Sequence, residues 1–170
     1  TGALNASGDN AATFTINADD GTENPQVGSG NVDITAVNDA PTASNVPTDV
    51  SVTEDQESDF DLSAVALGDV DGDTLTVTTV ASAGTFTTVA DGSGIGDGVT
   101  ASGQGTGTVT LVGSATDINT YLDTTSNLRY TGPTNVNGDN AGTFTINAND
   151  GMVNPQVGTG NIDITAVNDA

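Results

Sequence analysis

The stretch GNVDITAVNDA at residues 30–40 returns as GNIDITAVNDA at residues 160–170. Laying residue 1 on residue 131 is a shift of 130, and 30 of the 40 overlapping positions are then identical. A fixed internal period constrains a fold more than any local propensity, because each period must be one structural unit. Residues 1–40 therefore read as the C-terminal strands and linker of a preceding repeat, and 41–170 as one complete repeat. The chain opens in mid-pattern, at TGALNASGDN, and reads as a piece of a tandem array. In such an array the partners of each unit are neighbouring repeats of the same chain.

The local patterns are those of strands. TFTINA (143–148) alternates, with Phe144, Ile146 and Ala148 on one face and Thr143, Thr145 and Asn147 on the other. NIDITAV (161–167) repeats the alternation, with Ile162, Ile164 and Ala166 expected inside. The same period of two recurs around Val50 and Val52, Leu75 and Val77, and Val109 and Leu111. With Thr and Val abundant and 22 Gly to mark turns, this predicts antiparallel strands with one wet face. About seven strands per repeat suggest an all-β, two-sheet sandwich. One short helix is expected at SATDINTYLD (114–123), where Ser114 and Asp117 form a capping box and Ile118, Tyr121 and Leu122 share a face. Phe60, Phe86, Tyr121, Tyr130 and Phe144 are expected in the core, and Arg129 is expected to point outwards onto a carboxylate.

Composition narrows the chemistry. Twenty Asp and three Glu face one basic residue, Arg129, for a net charge of -22. That balance argues against nucleic acid or an anionic membrane as partner, since both require Lys or Arg against phosphates. It favours cations, or simply an acid-rich surface that keeps a protein in solution. Cys, His and Lys are all absent. Disulfides, thiolate or imidazole metal sites, Ser-His-Asp triads and Schiff bases therefore cannot be built. Paired carboxylates could serve a glycosidase, but no Trp, two Tyr and four Phe are a poor stock for a sugar-stacking cleft. The expectation is a protein without enzymatic activity or small-molecule substrate. No apolar run approaches the roughly 18 residues of a membrane span, so no membrane insertion is expected.

Acidic residues cluster at the ends of elements. LGDVDGDTL places Asp69, Asp71 and Asp73 at alternate positions in a Gly-bearing turn before a strand. Two carboxylates about 4 Å apart repel by ~4 kcal/mol at an effective dielectric near 20, so three together need separation, protonation or a cation. Oxygen ligands alone suit calcium better than zinc or copper. The turn is not an EF-hand: Gly72 precedes the third Asp, and Val80 holds the twelfth place where a bidentate Glu belongs. A solvated Asp-Gly turn is the plainer alternative. DGSGIGDGV (91–99) matches the nonapeptide of calcium β-rolls poorly and occurs once, so it reads as a hairpin loop.

NADDG (17–21), NANDG (147–151), VTED (52–55) and AVNDAP (36–41) complete the acidic set. A strand ending in A-x-D-G, a turn, a last strand and V-N-D-A-P resembles the end of a cadherin repeat. GDVDGD resembles the cadherin D-x-D stretch, and Glu54 stands where a first-strand glutamate would. The 130-residue period, the DINTYLD…LRYTGP segment and the AVNDAP join resemble the cadherin-like repeats of giant bacterial surface adhesins, including those of the repeats-in-toxin type. The resemblance covers the whole of 41–170. It implies a cadherin-like or immunoglobulin-like Greek-key sandwich, displayed outside the cell by an outer-membrane-anchored adhesin of a Gram-negative bacterium. It implies calcium at the junctions between sandwiches. At the first junction the ligands implied are Asn38 and Asp39 of the linker with Asp69, Asp71 and Asp150 of the following domain, and Asp73 of the same acidic turn is a further candidate metal ligand. Asp20, the counterpart of Asp150, would serve the junction before it, and Glu54 the next one, with Asn168 and Asp169. The linker reads A-V-N-D-A and lacks one acidic ligand of the family's D-x-N-D-N, and no counterpart of its D-R-E is present. One or two ions per junction follow.

The function implied is a structural extender that supports adhesion and biofilm formation. The rival is a calcium-dependent glycan-binding module that uses loops such as 91–105. One structural question is left by the repeat: the chain carries two near-identical closing strand pairs and one sandwich to receive them. Either the first pair belongs to a longer array or it competes for the second pair's place. The TFTINA copy that pairs with the 107–112 strand is expected to distinguish these.

Overall fold

The computed structural model describes residues 6–88 and 98–168. The chain divides into two compact units, Thr1–Asp39 and Ala40–Ala170.

The first unit is a single antiparallel hairpin of β1 (Gly8–Asn17) and β2 (Gln26–Ile34). Phe14 lies opposite Gly30, so its ring folds onto a position where a Cβ would come within 2.7 Å of it. The alternation seen in its near-copy at 143–148 is present here too, with Phe14 48% exposed and Ile16 53%.

The second unit is an all-β sandwich with one short helix. Its strands are β3 (Thr42–Ser44), β4 (Asp49–Thr53), β5 (Glu57–Asp59), β6 (Ala66–Gly68), β7 (Leu75–Ala81), β8 (Thr85–Thr88) and β9 (Thr100–Ser102). They are followed by β10 (Thr108–Gly113), the helix α1 (Ala115–Leu122), β11 (Leu128–Thr131), β12 (Gly138–Asn149) and β13 (Gln156–Thr165). One sheet has the order β4-β13-β12-β7-β10-β9, a second β5-β11-β8, and β3 pairs with β6 beside them. Eleven strands among the described residues replace the roughly seven expected, because β3, β5, β6 and β9 have three residues each, too few to display a period of two.

The core lies between the sheets. Phe60 meets the rings of Phe86, Phe144 and Tyr130 at centroid distances of 5.1, 5.3 and 5.6 Å. All five expected aromatics are buried, as are Val50, Val52, Leu75, Val77, Val109, Leu111, Ile146, Ala148, Ile162 and Ile164. Each buried Val, Leu, Ile or Phe side chain among them contributes about 1.5–3 kcal/mol over its exposed state. The helix begins as the capping box requires, with Ser114 Oγ accepting from Asp117 N at 3.1 Å, and it buries Ile118, Tyr121 and Leu122. Arg129 points outwards and pairs with Glu57 at 2.6 Å and Asp59 at 3.3 Å.

Three expectations need correction. Ala166 is exposed, because β13 ends at Thr165 and the chain leaves the sheet there. The 143–148 segment pairs with β7, and β10 lies on the far side of β7; the pair that enters the sheet is the second copy, β12–β13. The pairing of β13 with β4 is parallel, not antiparallel. The reason is topological: the first long strand of the unit and its last both run from the end where the chain enters to the end where it leaves.

Candidate metal centres at the two ends of the sandwich

Registers define the two poles. Asn149 pairs with Thr76 at one end of β12, and Gly138 with Ile164 at the other. The loop carrying Asp69, Asp71 and Asp73 leads into Leu75, and Asp150 follows Asn149 directly. Both features therefore lie at the pole where Thr42 pairs with Gly68 and the chain enters the unit. Glu54, which follows β4, and Val167, which follows β13, share the exit pole.

At the entry pole, oxygens of Asp69, Asp71 and Asp73 lie within 4.8 Å of one another. The turn is built around Asp69: its Oδ1 accepts from the backbone N–H of Asp71 (3.0 Å), Gly72 (2.9 Å) and Asp73 (3.3 Å). Gly72 takes φ +76, a conformation that costs a glycine nothing. Asp69 Oδ2 is buried and has no hydrogen-bond partner. A buried carboxylate oxygen without a partner is costly, and a hard cation satisfies it. The donor set therefore fits calcium: oxygen only, three carboxylates, and one oxygen whose hydrogen bonds are unmade.

The strand that leads into this loop is fixed from outside the sheets. Asn119 on α1 clamps β6 with its side-chain amide: Oδ1 accepts from Leu67 N and Nδ2 donates to Leu67 O, both at 2.9 Å. Thr42 holds the other side of β6 through the Thr42–Gly68 pair.

Asp150 is mostly buried, and its Oδ1 accepts from Met152 N at 2.7 Å and Val153 N at 2.8 Å. It lies at the same pole but is not one of the three clustered carboxylates. Asp20 repeats this turn in the first unit, with Thr22 N and Glu23 N both at 2.9 Å. The N–H groups of Glu23 and Thr22 hold its carboxyl below the usual Asp value. Asn38 and Asp39 close the first unit, where Asn38 Nδ2 donates to Asp39 O at 3.4 Å.

At the exit pole Glu54 is 2% exposed. Its carboxylate accepts from both sides of the pole: from Asn137 Nδ2 at 3.1 and 3.2 Å, and from Val167 N at 3.2 Å. Asn168 follows Val167 and is exposed, and Asp169 lies outside the described residues. Asn137 was not singled out from the sequence, where it is one polar residue in a loop and no spacing marks it. The 91–99 loop lies outside the described residues except for Gly98 and Val99.

No protein-family model matches this chain, and no curated protein matches it. Among the described residues no helix is long and apolar enough to cross a membrane.

Proposed function

We propose that residues 41–170 are an extender module: a non-enzymatic sandwich, repeated in tandem and stiffened by calcium between repeats, that holds an adhesin away from a bacterial surface. The observation that carries this reading is the Asp69–Asp71–Asp73 cluster, with its unsatisfied Asp69 Oδ2, at the pole where the chain enters. Entry and exit at opposite poles, set by the parallel β4–β13 pair, suit units strung end to end.

In this reading Asp69, Asp71 and Asp73 hold the ion from the domain side, with Asp150 at the same pole and Asn38 and Asp39 supplied by the linker. Glu54, Asn168 and Asp169 serve the following junction, and Asp20 the preceding one. Calcium supplies positive charge that draws carboxylates from both sides together; without it the linker's like charges repel and the chain flexes. Residues 1–40 are the closing strands of the repeat before. The biological setting is the outer surface of a Gram-negative cell, in adhesion and biofilm formation.

Small-angle scattering on a protein of several repeats tests the reading. Calcium is expected to lengthen and narrow the particle, and chelator to reverse this. A maximum dimension that does not change between the two conditions refutes it.

A further inference from the structure

Asn137 is followed by Gly138, and in 170 residues no other Asn is followed by Gly. The two members of the pair are there for different reasons. Gly138 opens β12 at φ +129, a conformation that any side chain strains. Its counterpart Gly8 opens β1 at φ +120, so the fold asks for glycine at this start. It does not ask for the Asn: the residue before Gly8 is Ser7.

The pair has a chemistry of its own. The backbone nitrogen that follows an Asn can attack the carbon of that Asn's side-chain amide. A Cβ on the attacking residue ordinarily obstructs this, and glycine has none. At Gly138 there is also space, since nothing lies within 4 Å of the place where a Cβ would stand. Asn137 is exposed, on the irregular stretch between β11 and β12.

The side chain at risk has work to do at the exit pole. Its Nδ2 donates to both oxygens of Glu54, at 3.2 and 3.1 Å. Glu54 is 2% exposed, and it also accepts from Val167 N. No cationic side chain stands by to replace the amide, because the chain's one basic residue, Arg129, pairs with Glu57 and Asp59.

We propose that Asn137 is a self-modification site: the Gly138 nitrogen closes on Asn137 Cγ, and water then opens the ring to leave a carboxylate beside Glu54. In the first step the bond from Gly138 N to Cγ forms and the Cγ–Nδ2 bond breaks. The proton of the Gly138 N–H leaves with the amide nitrogen as ammonia. In the second step one water adds across the five-membered imide. Breaking the bond to Cγ leaves an ordinary aspartate at 137. Breaking the main-chain bond instead sends the backbone through Cγ, as isoaspartate, one methylene longer. Nothing is oxidised or reduced, and solvent water is the only co-reactant. Either product takes a donor from Glu54 and sets a second negative charge near it, where like charges repel. A buried carboxylate that loses its partners is costly, so the exit pole loosens as the molecule ages. The inference goes beyond the proposed function and does not depend on calcium.

The test uses the full chain, kept folded at mildly alkaline pH in chelator and sampled over weeks. Trypsin has one site, Arg129, so digestion of each sample after unfolding releases 130–170 as a single peptide. Ammonia lost and water gained raise its mass by one unit, and fragmentation is expected to place that rise at residue 137. Asp-Gly pairs that rearrange through the same ring leave the mass unchanged. Asn137→Ser, which installs the residue of the first copy, should show no rise there. The aged chain is expected to unfold at a lower urea concentration than the fresh one, approaching a freshly made Asn137→Asp chain. A folded chain that stays unaltered at 137 overturns the inference, as does faster conversion at other Asn residues. So does a converted chain whose urea midpoint matches the fresh one, or an equal fall of midpoint in aged Asn137→Ser.

Discussion

The carboxylate of Glu54 accepts the backbone N–H of Val167 at 3.2 Å, joining residues 113 positions apart. This contact anchors the departing chain to the end of β4, one residue beyond the last strand pair. Glu54→Ala leaves Val167 N–H and Asn137 Nδ2 without their acceptor and is expected to destabilise the sandwich by about 2–3 kcal/mol. Glu54→Gln keeps one acceptor oxygen but turns an NH₂ towards donors, so it should fall between. Urea titration of the three proteins orders them, and equal midpoints would remove Glu54 from this role.

Asn119 holds β6 by both ends of its amide. Asn119→Ala leaves Leu67 N–H and C=O without partners on that side, for an expected cost of about 2 kcal/mol. Because Gly68 runs directly into Asp69, the acidic turn should loosen as well. Hydrogen exchange at Asp71–Asp73, whose N–H groups reach Asp69 Oδ1, is expected to rise in the variant. Unchanged protection there would separate the helix from the turn.

Asp71→Asn removes one charge from the cluster and leaves the Asp69 turn intact. Without calcium the variant is expected to be as stable as the parent or slightly more so, since like charges within 4.8 Å repel. With calcium at a hundred times its dissociation constant the parent should gain ~2.7 kcal/mol, and the variant much less. Thermal melts in calcium and in chelator read both effects. Equal gains in the two proteins would place the ion elsewhere.

Burial raises the Tyr130 phenol above its ordinary value of 10.0, and its O–H donates to Ala83 O at 2.6 Å. A group whose folded pKa is the higher one keeps its full contribution below the unfolded value and loses it as pH rises through the folded value. Stability should therefore decline as pH rises above 10. Tyr130→Phe is expected to cost about 1 kcal/mol at neutral pH through the lost hydrogen bond, and to flatten that alkaline decline. Denaturant midpoints on either side of pH 10 check both.

The strands that bury one face were legible in the sequence because a period of two survives in any stretch of five residues or more, as in β7 and β12. The capping box at Ser114 was legible for a similar reason: its chemistry lies within four residues. What was not legible depends on contacts made across the fold. Residues 42–44 become a strand only because Gly68 lies beside Thr42, and the parallel partnership of Val52 with Ile164 joins segments with 111 residues between them. Glu54 was marked by resemblance, but its partner Asn137 comes from a loop whose position only the closed sandwich fixes. The acidic turn was visible as a spacing, whereas the unsatisfied Asp69 Oδ2 depends on how the folded loop buries it.

The parallel β4–β13 pair bears on force. Tension applied through the two ends of the unit enters at one pole and leaves at the other, along the direction in which these strands run. The load then slides β13 along β4 instead of peeling it away. From Asn161 against Asp49 to Thr165 against Thr53, the cross-strand bonds share that load in shear. Rupture under load is set by the barrier to unfolding and not by equilibrium stability. A link clamped in this way resists pulling as a lap joint does, along its whole length at once.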